Sequence, residues 1–199
     1  MPDADVRHAV LGDFDALEDT IIGAFWDDPM ITWMYPDVGT RREQGGAFMR
    51  LGLEIGLPCG HTYTAADNKA AAIWAPPDVD IFTDSASERL GALMQSQLGP
   101  RMEEVAGGLL NIAAAHPRDQ PHFYLFVLGT APDRQSRGLG SQLLHEVLDR
   151  CDRQGFPAYL ESSNIRNVAL YERHGFRVLS EIHCGGDFVA RPMWREPQS

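Results

Sequence analysis

The chain lacks the features that mark several large classes of protein. It has only three cysteines, Cys59, Cys151 and Cys184, and no C-x-x-C pair, so it predicts neither a disulfide framework nor a zinc site. No apolar run is long enough to span a bilayer, and the charged start MPDADVRHAV has no apolar core of signal-peptide length. We therefore expect a cytoplasmic protein that holds no metal.

Positive charge is also scarce. There are 17 Lys and Arg against 28 Asp and Glu, which gives a formal net charge of −11. Nucleic acids and anionic membranes are bound by clustered Lys and Arg, so we expect neither as a partner. The acidic field would attract a cationic small substrate weakly, although it also serves solubility. Nothing in the sequence indicates the oligomeric state.

The hydrophobic pattern alternates between strands and helices. HTYTAADNKAAAIWAP predicts a hairpin that turns at Asp67-Asn68, and Asp13 is placed to cap a helix. HFYLFVLGT predicts a strand, residues 138 to 154 a helix, and FRVLSEIH and FVARPMW two strands joined at Gly185-Gly186. Strands and helices mixed in this order indicate an α+β or α/β sandwich with a mixed sheet.

The turn APDRQSRGLGSQLLHEVL, residues 131 to 148, leads from a strand into the clearest helix. A helix start offers unpaired amides and the positive end of the dipole, and glycines admit a ligand close to the main chain, so this turn could bind phosphate. A P-loop is excluded because no lysine follows the glycines. A dinucleotide fingerprint is excluded because Leu143 replaces its third glycine. A plain strand-to-helix connection remains the alternative.

Two stretches carry a resemblance to a known family. Gln135 to Gly140 resembles the Q/R-x-x-G-x-G/A loop of the GNAT family of N-acetyltransferases, and LESSNIRNVALYERHGF, residues 160 to 176, is similar to the second half of that family's signature. LGPRMEEV and YLES are most similar to puromycin N-acetyltransferase-like members. The resemblance implies an α+β fold with a mixed, mostly antiparallel sheet and helices on both faces. It implies one domain over residues 1–199, in which 1–120 supply acceptor-side helices and first strands and 121–199 form the acetyl-CoA-binding core.

The resemblance also implies acetyl-CoA as cosubstrate and an amine as acceptor. The implied cofactor-binding residues are Leu128, Gly129, Thr130, Gln135, Ser136, Arg137, Gly138, Leu139, Gly140, Ser141 and Asn164. Residues 128 to 130 would splay from the neighbouring strand and leave main-chain groups for the pantetheine arm. Ser136 stands where puromycin acetyltransferase has glycine, and serine fits that position unless φ must be positive.

Acetyl transfer needs an acid and a base. By resemblance, Tyr171 is the acid that protonates the departing thiolate. Strand alternation places Glu161 on the same face as Tyr159, where its carboxylate could take the amine proton, or could instead have a structural role. Asp27, Asp28 and His122 are weaker candidates for the base, and His61, His116 and His183 show no ligand-like spacing.

The segment AFWDDPMITWMYP could form the wall of the acceptor site. Trp26, Asp27 and Asp28 offer an aromatic face and carboxylates, which suit a cationic amine, although core packing and helix capping would also explain such residues. We therefore expect an N-acetyltransferase acting on a small-molecule amine by direct attack. The alternatives are a protein or peptide N-terminal acetyltransferase and a non-catalytic CoA-sensing module.

Overall fold

The computed structural model describes residues 5–198. The helices are α1 Phe14–Phe25, α2 Pro29–Met34, α3 Val38–Gly56, α4 Asp84–Gln97, α5 Met102–Ala115, α6 Leu139–Gln154 and α7 Ile165–Arg173. The strands are β1 Arg7–His8, β2 Thr62–Ala65, β3 Ala70–Ala75, β4 Phe123–Thr130, β5 Ala158–Ser162, β6 Arg177–Val178, β7 Ile182–Gly185 and β8 Phe188–Arg195.

Within the described residues the strands form one mixed sheet. The strand order is β1-β2-β3-β4-β5-β8-β6, and β7 pairs with the N-terminal part of β8. Only β4 and β5 run parallel, because α6 crosses between them, whereas the other pairs are antiparallel. The predicted α+β fold with a mixed, mostly antiparallel sheet is confirmed.

Apolar residues cover both faces of the sheet. One hydrophobic core lies between helices α1 to α5 and one face of the sheet, and it includes Leu17, Leu53 and Tyr159. The second core lies between helices α6 and α7 and the opposite face of the sheet, and it includes Leu143 and Leu160. Tyr159 and Leu160 therefore point to opposite sides, as strand alternation requires, and Glu161 lies on the side of α1 to α5.

Two of three local predictions were wrong in detail. Asp13 precedes α1 but makes no side-chain cap, because its carboxylate accepts from Arg7 at 2.6 and 2.8 Å and from Asn68 at 2.8 Å. Arg7 thereby lowers the pKa of Asp13. The predicted hairpin is confirmed, and Asp67-Asn68 lie at the centre of its connection, residues 66–69. The segment FRVLSEIH is divided into β6 and β7.

Candidate functional site

The turn before α6 has the backbone of an anion-binding loop. Gly138 is the N-cap of α6 with φ +84°, a left-handed conformation that glycine adopts without strain. Ser136 also has a positive φ, +61°, so the condition under which serine would strain this loop is met. Residues 135 to 138 are exposed and open to a ligand.

The main-chain amides of this turn are open toward solvent. Among residues 5–198, no oxygen accepts a hydrogen bond from the amides of residues 137 to 141, and the first bond of α6 runs from Gln142 to Gly138. These are the amides that a helix start leaves unpaired. Arg137 is exposed beside them, and the His174 ring nitrogen lies 3.0 Å from the Ser141 hydroxyl. The loop can therefore hold a phosphate or pyrophosphate.

An opening between β4 and β5 adjoins this turn. The two strands pair only from Phe123 to Leu125 on β4, so within the described chain residues 126 to 130 have no strand on the β5 side. The separation starts at a bulge, because Ile73 pairs with Val127 and Trp74 pairs with Leu125 and skips Phe126. A bulge bends its strand away from a neighbour. The predicted stretch, Leu128 to Thr130, lies within this opening.

Tyr171 lies on the α6 and α7 side of the sheet. It is 7% exposed, and burial together with the nearby Asp28 carboxylate raises the pKa of its phenol. The phenol is therefore protonated at neutral pH, as an acid requires. Asn164, four residues after Leu160 of β5, caps α7 by accepting from the amide of Arg166 at 3.0 Å.

Asp28 connects the start of α2 to the segment between β5 and α7. Its carboxylate accepts from the Ser163 hydroxyl at 2.7 Å and from the Met30 amide at 2.9 Å, so it joins the start of α2 to the segment between β5 and α7. It is buried, and that burial raises its pKa. Both carboxylate oxygens already have protein partners, which is the geometry of a helix cap and tether.

The other two predicted acceptor residues are more accessible. Asp27 is exposed, and Trp26 is half-buried with the Arg41 guanidinium 5.6 Å from its ring centroid. Arg41 is itself buried and donates to the carbonyls of Tyr35 and Pro36. Since a cation already lies over one face of Trp26, only its other face remains for a cationic acceptor.

Glu161 lies in a pocket of aromatic and imidazole rings on the opposite side of the sheet from Tyr171. Its carboxylate is 3.4 Å from Nδ1 of His116, and it raises the pKa of Tyr124 and Tyr159 beyond the larger effect of their burial. The Tyr159 hydroxyl is buried and has no hydrogen-bond partner among the described residues.

Sequence reasoning missed two features of this site. His116, expected to be ordinary, contacts Glu161, and the bulge at Phe126 starts the opening. His116 has extended backbone with ψ 123° because Pro117 follows it, and this conformation turns it off the end of α5. The His-Pro pair was visible in the sequence, whereas no pattern marked the bulge.

Neither a metal-binding cluster nor a membrane-spanning helix is found where the structure describes the chain. No group of three or more His, Cys, Asp or Glu side chains in residues 5–198 could hold a metal ion. None of the described helices combines the length and apolar character needed to cross a bilayer.

Comparison with known proteins gives consistent matches. The family described as Acetyltransferase (GNAT) matches residues 63–176. An uncharacterized N-acetyltransferase of Schizosaccharomyces pombe is 26% identical over 205 residues, which cover 94% of this chain and 81% of that protein. A Corynebacterium glutamicum structure described as histone acetyltransferase HPA2 and related acetyltransferase has a TM-score of 0.66 at 25% identity, covering 98% of this chain and 97% of that one. Arylalkylamine N-acetyltransferase 2 from Aedes aegypti has a TM-score of 0.69 over 98% of this chain and 100% of that one; at 13% identity it shows the fold alone.

Proposed function

The chain belongs to the acetyltransferase (GNAT) family and is an acetyltransferase, and we propose that it transfers an acetyl group from acetyl-CoA to the amine of a small molecule. One observation carries the proposal: the open amides of residues 137 to 141 adjoin the separation of β4 from β5. The loop before α6 can hold a pyrophosphate, and the opening between β4 and β5 can hold an extended arm. The similarity to puromycin N-acetyltransferase-like members stays a prediction.

The donor would lie along the loop and the opening. The amides of residues 137 to 141 and the Arg137 guanidinium would hold the pyrophosphate, because both present positive charge to an anion. The β5-facing main chain of residues 126 to 130 would bind the pantetheine arm and stabilise the negative oxygen that develops at the thioester carbonyl. Asn164 would contact the cosubstrate from the start of α7.

The acid and the base would reach the thioester from opposite sides of the sheet. Glu161 would remove a proton from the acceptor nitrogen, which can then attack the carbonyl carbon. Tyr171 would give its proton to the departing thiolate and regain one from solvent. The raised pKa of Tyr171 keeps the phenol protonated at neutral pH, so the proton is present when the thiolate forms.

The surroundings of Glu161 favour a small acceptor over an extended peptide. The helix α5 packs against β7 and β8 on this side of the sheet, and the Glu161 side chain is only 10% exposed, which leaves little room for an extended chain. The carboxylate and the rings of Tyr124 and Tyr159 suit an ammonium group before it is deprotonated. A structural neighbour is named for acetylating arylalkylamines, which are acceptors of this class.

The first test is calorimetry with coenzyme A. Arg137→Glu should weaken binding about tenfold, because one repulsive charge at a phosphate replaces an attractive one and 1.4 kcal/mol corresponds to tenfold. Arg153→Glu is the matched control, since it makes the same charge change at the other end of α6. Equal affinities for both variants, or no heat from the wild type, would refute the placement of the donor.

The second test is thiol release from acetyl-CoA against a panel of amines. The panel comprises arylalkylamines, polyamines, aminonucleosides, amino acids and short peptides. Turnover with a small amine supports the proposal, and turnover with peptides alone would assign the chain to peptide acetylation. Binding of acetyl-CoA without turnover of any amine would indicate a CoA-sensing module.

A further inference from the structure

Glu161 is largely buried, and the neighbouring His116 is more exposed to solvent. The side chain of Glu161 is 10% exposed, whereas that of His116 is 26% exposed and lies 3.4 Å away through Nδ1. With an acceptor bound, a proton taken by Glu161 would have no direct path to water. The imidazole of His116 is the neighbouring group that has a nitrogen able to accept a proton and that also reaches solvent.

The hydrogen bonds of His122 determine which ring nitrogen carries the proton in His122 and in His116. Nδ1 of His122 lies 2.8 Å from the carbonyl oxygen of Gln120, which can only accept, so Nδ1 carries the proton. Burial lowers the pKa of His122, so the ring is neutral and its Nε2 is an acceptor. Nε2 of His116, 3.2 Å away, must then donate to it. The lone pair of a neutral His116 is therefore on Nδ1, which faces Glu161.

Groups from several elements hold the His116 ring in this orientation. Tyr124 of β4 and Tyr159 of β5 contact it edge to face, with ring centroids 4.7 and 4.8 Å away. His122 lies 5.1 Å away on the third side and is backed by Trp194 of β8 at 5.3 Å. The titratable groups that face the pair are thus two protonated phenols and one neutral imidazole, none of which carries a competing charge.

We propose that His116 is a positioning and proton-accepting partner of Glu161, and that His122 holds its tautomer. This inference rests on the proposed function of Glu161 as the base. The proton that Glu161 takes from the acceptor amine moves from the carboxyl oxygen to Nδ1 of His116, so that an O–H bond breaks and an N–H bond forms. Glu161 returns to a carboxylate and His116 becomes an imidazolium, whose Nδ1–H bond then breaks to a water that enters as the product leaves.

The kinetic test compares His116→Gln with His183→Gln, a change of an exposed histidine on β7. We expect His116→Gln to lower kcat about tenfold or more without changing the KM for acetyl-CoA, because proton transfer contributes about 100-fold or more to such reactions. Added imidazole should restore part of the loss at this partly exposed position, and His183→Gln should match the wild type. A His116→Gln enzyme with wild-type kcat and pH profile would overturn the proposal while leaving the proposed function intact.

Nitrogen-15 NMR of the histidine rings tests the pair without turnover. We expect Nδ1–H on His122 and Nε2–H on neutral His116, because the Gln120 carbonyl accepts from the first ring and Nε2 of His122 accepts from the second. A neutral His116 with its proton on Nδ1 would overturn the proposal even if no amine were ever acetylated.

Discussion

Replacement of Gly108 by alanine tests how closely α5 packs on β7. A Cβ at Gly108 would lie 2.7 Å from the Trp33 ring and 2.9 Å from Cys184 Cβ, and it would also meet the carbonyl oxygen of Cys184. Backbone at this contact cannot move aside as a flexible side chain can, so we assign about 3 kcal/mol to overpacking. Alanine regains about 1 kcal/mol of helix propensity, which leaves a net loss of about 2 kcal/mol.

Gly107 is the matched control on the same helix. A Cβ there meets no atom within 4 Å, so Gly107→Ala should gain about 1 kcal/mol from propensity alone. In a domain of this size 1 kcal/mol shifts Tm by about 2–4 °C. The Tm of Gly108→Ala should therefore lie about 4–8 °C below that of the wild type, and the Tm of Gly107→Ala about 2–4 °C above it. The measurement is thermal unfolding followed by circular dichroism. If the two variants were equally stable, the close approach of α5 to Cys184 would be wrong.

Two further predictions concern the donor site. Tyr171→Phe should lower kcat about 100-fold, while its affinity for acetyl-CoA, measured by calorimetry, stays within about twofold of the wild type. Because the pKa of Tyr171 is raised above its usual value of about 10, the wild-type kcat should not fall through phenol ionisation below that pH. Full activity in Tyr171→Phe would exclude Tyr171 as the acid. Ser136→Gly should raise the free energy of unfolding in urea by about 0.5–1 kcal/mol, because φ +61° strains serine but not glycine. The control Ser96→Gly, within α4, should lower this free energy by about 0.5 kcal/mol. If both variants were less stable than the wild type, serine would not be strained at position 136.

The parts of the site that sequence could predict are those that local residues determine. The start of α6 follows from Gly138 and the apolar spacing that ends at Cys151, and the cap of α7 follows from Asn164. Each depends on hydrogen bonds or periodicity within a few residues. Placing Glu161 on the same face as Tyr159 likewise needed only the alternation of β5.

Long-range partners decided what sequence could not predict. Asp13 is a good cap residue, but Arg7 and Asn68 bind its carboxylate, and Asn68 lies 55 residues away. The bulge at Phe126 depends on the register between β3 and β4. His116 acquires its partner only when α5 is laid over the sheet, because 45 residues separate it from Glu161 (161 minus 116).

The sheet itself explains why the proposed acid and base need the opening between β4 and β5. Tyr171 belongs to the core on the α6 and α7 side, while Glu161 faces the side of α1 to α5. A continuous sheet would separate the two groups by its own thickness, since paired strands leave no gap for a ligand. Pairing that stops at Leu125 removes that barrier next to Glu161. The bulge at Phe126 would therefore allow the proposed acid and base, on two faces of the sheet, to act on one thioester, and His116 at the end of α5 lies on the side of Glu161 alone.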